Sequence, residues 1–430
     1  MIKLTLFSGN RLEILADKFA EIISLSPLPV MEKELIVVQS LGMMKWLSVE
    51  MSRRLGIWAN CEYIFPNKMT NLVLNSFFSD SSDKRFFDKD IMTWKCMDII
   101  LRERDNPKFS EVSSYIVNDI TGIKLYQLAT KIIDLFDQYM TFRPEMIINW
   151  DKNTMNAGWQ SELWRLLTNS ISKEHPPALL YNLYNTIRSK ENFTPTDFPK
   201  RFTVFGISYL PVYHINMLRA AANYSDVNIF MLNPSPGYWD DILTEKERRR
   251  IISSSPVIPD DIEDLHMDPG NELLSSLGRI GRDFLRNLFM SDVDTCELFI
   301  EPKRDSLLTM IQNDIYMMNN GHEEDEKNIL SEDEILNDRS ITISSCHSAM
   351  REVEVLHDYI LDLLNRDETL APWDILVMSP DISMYSSYIQ MVFGHESEGI
   401  PPMPFKIIDR KIKDASSVLE AFFKVLSLNN

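Results

Sequence analysis

Two aspartates, Asp134 and Asp137, stand three residues apart in "LYQLATKIIDLFDQYMTF". That spacing puts both carboxylates on one face of a helix. Such a pair holds a metal or runs acid–base chemistry when desolvated; a solvated helix face is the commoner outcome. Cys346 and His347 are the residue types of a thiol nucleophile and its base, but neighbours at a strand end point apart, so no dyad is expected. Neither H-E-x-x-H nor G-x-S-x-G occurs. Cys61, Cys96, Cys296 and Cys346 are scattered, with no C-x-x-C pair and no zinc spacing. Free thiols in a reducing compartment are the plain reading. The sequence therefore offers no catalytic and no metal-binding constellation.

The turn Ser8-Gly9-Asn10-Arg11 follows the first apolar run, where a nucleotide-binding protein places its phosphate loop. Such a loop needs G-x-x-x-x-G-K-[ST]: amides to cradle the phosphates, a lysine to bridge them and a hydroxyl to hold magnesium. One glycine and one arginine cannot supply this, and no apolar strand ends in Asp-Glu. Asn10 or Ser8 is expected to cap the following helix instead. The sequence favours a non-enzymatic chain laid out like a nucleotide enzyme.

The elements that position these residues repeat one grammar: apolar strand, Ser-containing turn, amphipathic helix. It appears in "LTLFSGNRLEILADKFAEII", "LIVVQSLGMMKWLSVEMSRRLG" and "FTVFGISYLPVYHINMLRAAA". It recurs in "ITISSCHSAMREVEVLHDYIL" and "ILVMSPDISMYSSYIQMVFG". The strands are continuous Val/Ile/Leu/Phe runs, as in a parallel sheet buried on both faces. Alternating strands and helices predict an α/β fold. Between about Lys84 and Arg201 the strand runs thin out and helical patterns take over, which reads as a helical insertion. The basic run Lys246–Arg250 and the acidic Asp260, Asp261, Glu263 and Asp264 read as a solvated excursion. Residues 321 to 340 are densely acidic and read as a surface linker at a domain boundary. A second α/β unit begins at Ser340 and holds too few strands for a finished sheet; the chain reads as the front part of a longer protein. Arg351 and Glu352 read as a solvated helix start.

Composition sets outer bounds. With 430 residues and 44% hydrophobic residues, the chain is long enough for two or three domains. A formal net charge of -19 argues against a surface that grips nucleic acid everywhere. Any such contact must be a local groove or be shared with a partner. No apolar run reaches the ~18 residues of a membrane helix, and the N-terminus lacks a signal-peptide core. A soluble, cytoplasmic protein is expected.

"VVQSLGMMKWLSVEMSRRLGIWAN", "DLFDQYMTFRP", "FGISYLPVY", "NPSPGYWDDI", "GNELLSSLGRIGRDF", "CHSAMREVEVLHDYIL" and "IQMVFG" occur in this order along the chain. Together they resemble the N-terminal part of the RecC family, the gamma chains of exodeoxyribonuclease V (the RecBCD complex). The resemblance implies an inactivated superfamily-one helicase-like P-loop fold. Its subdomain 1A would span 1–83 and 202–325, with the helical 1B at 84–201. An acidic linker would span 326–339, and 340–430 would start a truncated α/β domain 2A. It further implies a non-catalytic scaffold for RecB-like and RecD-like subunits in double-strand break repair. The scaffold channels DNA and scans the unwound 3′-ended strand for a Chi sequence. ATP and magnesium would act in the partner subunits, this chain needing no cofactor. Gln39, Asp134, Leu135, Asp137 and Arg143 match family DNA-reading positions. Leu41, Lys45, Asn71 and Leu183 stand where the family pattern has polar, aromatic or basic readers, so altered or absent recognition of the familiar Chi octamer is expected. Phe65 is a further contact candidate, although Trp46 and Phe65 both read first as core residues. Gln39 at a strand end either meets a base edge or satisfies turn amides. Two competing readings stay open: an ATP-dependent helicase or nuclease subunit of the AddB type, and a protein-interaction scaffold without nucleic-acid contact.

Overall fold

The computed structural model describes residues 4–78, 87–155, 158–171, 174–188, 198–254, 270–290, 293–319, 331–394, 403–408 and 417–427. The chain divides into two compact units, Met1–Ile335 and Leu336–Asn430. The carboxylates Asp260, Asp261, Glu263 and Asp264 and the acidic residues 321–330 lie outside the described residues.

The first unit is built on a parallel six-stranded sheet. Its strands are β1 (Leu4–Gly9), β2 (Glu34–Val37), β3 (Cys61–Ile64), β4 (Arg201–Phe205), β5 (Asp226–Leu232) and β6 (Asp294–Glu297). The order is β3-β2-β4-β5-β1-β6. All residues of β2 and β4 are buried, as in strands covered on both faces; the polar exceptions are Glu34, Arg201 and Thr203. The helices α1 (Leu12–Leu25) and α2 (Leu41–Leu55) cover one face. There Phe7, Phe230 and Phe205 lie in register on the adjacent strands β1, β5 and β4. Phe7 and Phe230 stack at 4.7 Å, and Phe19 of α1 tilts onto Phe230 at 5.4 Å. Each buried ring contributes about 1.5–3 kcal/mol.

The opposite face carries Leu4, Leu6, Leu35, Val37, Phe202, Val204 and Val227. The helix α3 (Pro66–Phe77) packs there. An α-helical segment follows, with α4 (Lys89–Arg102), α5 (Ser110–Ile116), α6 (Ile123–Phe142), α7 (Pro144–Asp151), α8 (Trp159–Ile171) and α9 (Pro176–Arg188). Residues from Met92 to Ile171 form a separate core around Phe136, Trp150 and Trp164. Asp151 ties this lobe together, accepting from Trp164 Nε1 at 2.9 Å and from His175 Nε2 at 2.6 Å. His175 Nδ1 accepts from the Ala178 amide, so its other nitrogen carries the hydrogen. The buried Leu179, Leu180 and Leu183 of α9 belong to the sheet's core instead. The unit continues with α10 (Val212–Ala221), α11 (Glu245–Ser254), α12 (Glu272–Leu277), α13 (Arg279–Phe289) and α14 (Leu307–Met317). The basic run Lys246–Arg250 lies in α11, where Glu247 pairs with the buried Arg282.

α15 (Glu332–Asn337) spans the division between the two units. The second unit contains α16 (Ala349–Arg366), α17 (Ser386–Phe393) and α18 (Ser417–Ser427). Its small core joins Val353, Ile360 and Phe393. The expectation of strands here is corrected: neither 341–346 nor 375–379 forms a strand among the described residues. The first run mixes Ile341 and Ile343 with Thr342, Ser344 and Ser345, and the second is largely apolar; a strand needs a ladder partner, and none of the described residues supplies one.

Candidate nucleic-acid interface

The turn after β1 is short. β1 ends at Gly9 and α1 begins at Leu12, too few residues to wrap successive amides around a phosphate. The expected cap by Asn10 or Ser8 is corrected. Arg11 is the N-cap residue and makes no side-chain cap bond. Asn10 instead donates its amide to Ile300 O at 2.7 Å and accepts from Ile300 N–H at 3.0 Å. Ser8 Oγ accepts from Asn233 Nδ2 at 3.0 Å. A Cβ on Gly9 would sit 2.4 Å from the carbonyl oxygen of Leu298, so the segment after β6 runs in contact with this turn. The neighbouring cleft at the carboxyl ends of β5, β1 and β6 measures about 240 Å³. Asp240 and Glu297 line it and no lysine or arginine does, an environment that repels phosphate.

The carboxyl ends of β2 and β3 form a second locale. Val37 pairs with Ile64, so Gln39 and Phe65 emerge from the same end of neighbouring strands, where α/β sheets bind ligands. Gln39 is exposed. Ser40 caps α2 by accepting from the Met43 amide at 3.1 Å; the cap fixes the first turn and presents Leu41, which is 66% exposed, and Lys45. Gly206, at the end of the adjacent β4, has φ +63, and a Cβ there would lie 2.7 Å from the Met43 methyl. The left-handed backbone favours glycine, and any side chain there would also have to displace the Met43 methyl. An open groove of about 480 Å³ continues along α2, lined by Met44, Lys45, Ser48, Val49, Ser52 and Arg53. Phe65 precedes α3 and is 47% exposed, so its reading as core is corrected. Trp46 packs at 6.2 Å on Phe205 beside the α1–α2 core. Asn71 is exposed on α3. Lys68 of the same helix is engaged with Glu62 at 2.7 Å, and together with Lys33 it holds that carboxyl below the usual range.

The third locale is α6. Gly122, in the left-handed region, precedes it, and Asp119 accepts from the Leu125 amide at 2.8 Å. Asp134 and Asp137 do share a face, and one cation serves both: Lys89 Nζ of α4 lies 3.0 Å from each carboxylate. The two carboxylates hold the Lys89 ammonium above the usual lysine range. Leu135 projects from a different side of α6 and is 41% exposed. Arg143 sits exposed at the α6–α7 junction. Leu183 is fully buried in the sheet core and cannot touch a strand, which corrects its place among the reading positions. Lys89 was not legible as a site residue; it lies 45 residues from Asp134, and only its place just after the Asp88 helix cap hints that its position is fixed. Among the described residues no group of three or more His, Cys, Asp or Glu is arranged to hold a metal ion. No helix of the described residues is long and apolar enough to cross a membrane.

These features define a doubly wound α/β protein whose first turn has no phosphate loop and whose carboxyl edge presents an amide, a lysine and an aromatic ring. Residues 4–318 match the family model described as RecC, N-terminal domain. The chain is 32% identical to the RecBCD enzyme subunit RecC of Haemophilus influenzae over 97% of its own length and 41% of that protein. It is 32% identical to that of Escherichia coli, over 99% and 41% respectively. The Mycolicibacterium smegmatis counterpart is 30% identical, over 91% of this chain and 34% of that protein. The chain belongs to the RecC family. It spans well under half the length of these curated relatives.

Proposed function

We propose that this chain is the DNA-channelling, non-catalytic part of a RecBCD-type helicase–nuclease that processes double-strand breaks. RecB-like and RecD-like subunits are its partners, and ATP and magnesium act in them. The observation that carries the reading is the bonding of Asn10 to Ile300, which commits the first turn to the chain's own backbone. The sheet end stays open at Gln39, Leu41, Lys45 and Phe65. This half contacts the unwound 3′-ended strand there and along α6, at Asp134, Asp137 and Arg143. Lys45 gives affinity without base information. Leu41 offers only apolar contact where the family pattern has a polar reader. A complex containing this chain is therefore expected not to pause at the familiar Chi octamer.

The test is fluorescence anisotropy of a labelled single-stranded oligonucleotide at several salt concentrations, with this chain alone and with its RecB-like partner. Binding that weakens steeply with salt is expected, and Lys45→Glu and Arg143→Ala should weaken it. No binding in either format would leave a pure protein scaffold and overturn the DNA reading. Pausing at the familiar octamer would overturn the altered readout.

A further inference from the structure

The cleft at the carboxyl ends of β5, β1 and β6 holds a carboxylate that the chain leaves short of donors. Asp240 lines this cleft, is only 5% exposed, and its Oδ1 accepts no hydrogen bond among the described residues. A buried carboxylate oxygen without a donor is costly, and a cation that reaches it removes the cost. The polar groups around it are committed elsewhere. Asn233 gives its amide to Ser8 and accepts from the Trp239 indole at 2.9 Å. The Tyr238 hydroxyl bonds the Asp240 carboxyl, which holds the phenol above its usual range, yet Oδ1 stays unserved. Arg286 donates to the Asp240 main-chain oxygen and does not line the cleft.

The walls narrow the choice of occupant. Glu297, exposed at the end of β6, adds a second negative charge. Tyr238 and Phe289 also line the cleft and are 65% and 43% exposed; the face of such a ring attracts a cation. At about 240 Å³ the cleft is smaller than the roughly 300 Å³ at which small-molecule pockets begin. A divalent metal takes about six oxygen ligands, and two carboxylates among aromatic rings do not offer them. A cationic head on an apolar stem fits, and that is the build of an arginine or lysine side chain.

We infer that this cleft is a socket for one basic side chain of a protein partner, whose charge pairs with Asp240 and whose stem lies against Tyr238 and Phe289. The inference rests on the partner reading above and is independent of the DNA path. A single charged anchor in a desolvated pocket is the kind of contact that carries an interface.

The test uses the full chain with purified RecB-type and RecD-type subunits, and reads assembly by surface plasmon resonance. Asp240→Asn keeps the shape and removes the charge; it should weaken binding of one subunit about thirtyfold or more. In the free chain the same change should leave the urea midpoint unchanged or raise it, because the carboxylate has no cation there to lose. Glu297→Gln, at the exposed strand end, should weaken assembly by under about fivefold. A benzophenone side chain in place of Tyr238 should crosslink to one partner peptide, and mass spectrometry should find an arginine or lysine in it. Unchanged assembly in Asp240→Asn would overturn the socket. A lowered urea midpoint in the free chain would show that the carboxylate is paired within the chain, and would overturn it as well. A crosslink to this chain's own basic residues would do the same. If the wild type binds neither subunit, the partner reading itself falls and takes this inference with it, an outcome distinct from a loss confined to Asp240→Asn.

Discussion

Asn10 and Ile300 exchange two hydrogen bonds across 290 residues of sequence, the amide donating at 2.7 Å and accepting at 3.0 Å. The bonds are partly wet, so Asn10→Ala should cost about 1–2 kcal/mol in a urea titration. Gly9→Ala should cost more, because its Cβ would meet the Leu298 carbonyl oxygen, a backbone atom, at 2.4 Å. Millimolar ATP with magnesium should leave the melting temperature unchanged. An upward shift would mean that the turn, or another part of the chain, binds the nucleotide after all.

Lys89 neutralises two carboxylates at once. Lys89→Ala leaves Asp134 and Asp137 as like charges on one helix face, and the strand's phosphates must then pass them. Single-strand affinity should drop about three- to tenfold at ~50 mM salt and less at ~200 mM. Folding stability should change by under ~1 kcal/mol, since all three groups are about half exposed. Unchanged affinity at low salt would place the DNA path away from α6.

Arg201 and Glu34 form a buried ion pair at 2.9 Å between the first residues of β4 and β2. Desolvation dominates and pushes the Glu34 carboxyl up, with Arg201 opposing. Arg201→Met should destabilise by about 3–5 kcal/mol, because it strands the carboxylate in the sheet. Adding Glu34→Leu should recover much of that loss, measured as a double-mutant cycle of urea midpoints. Additive losses would show that the pair is not the coupled unit drawn here.

His214 is buried on α10, with Nε2 2.9 Å from Asn67 Oδ1 and Nδ1 unpartnered among the described residues. Burial pushes its pKa down to about 4. The unfolded chain therefore binds the proton first, near pH 6.5. Stability is full above that point and is lost as pH falls toward 4, by about 3 kcal/mol at most. In His214→Leu the decline of melting temperature between pH 6.5 and pH 4 should be visibly shallower. An identical decline would assign the acid sensitivity to other groups.

The strands β1, β2 and β4 are legible in the sequence because each holds three closely spaced Leu, Ile, Val or Phe residues. β3 and β6 have four residues each and mix polar with apolar ones; in β6, Asp294, Thr295 and Glu297 are exposed. Such edge strands are defined by their ladder partner, which composition does not reveal. The segments 341–346 and 375–379 show the converse: β-branched and apolar residues with no ladder to join among the described residues. At the candidate site, the shared face of Asp134 and Asp137 follows from helical periodicity, whereas the lysine between them is supplied by another helix. Asn10 has an N-cap residue type, but a tertiary bond claims its side chain. Leu183 and Phe65 exchange their expected environments, because burial depends on which helix lies above them.

The sheet order also sets a timetable. β1 pairs with β5 and β6, and Leu4 aligns with Val227. A ribosome adding about 5–20 residues per second takes roughly 10 to 45 s to cover that interval. Throughout it the newborn β1, an apolar strand with two open edges, has neither neighbour. The helical lobe, with its separate core, can condense while the strand waits. Until β5 and then β6 emerge, both edges of β1 are therefore open to mispairing.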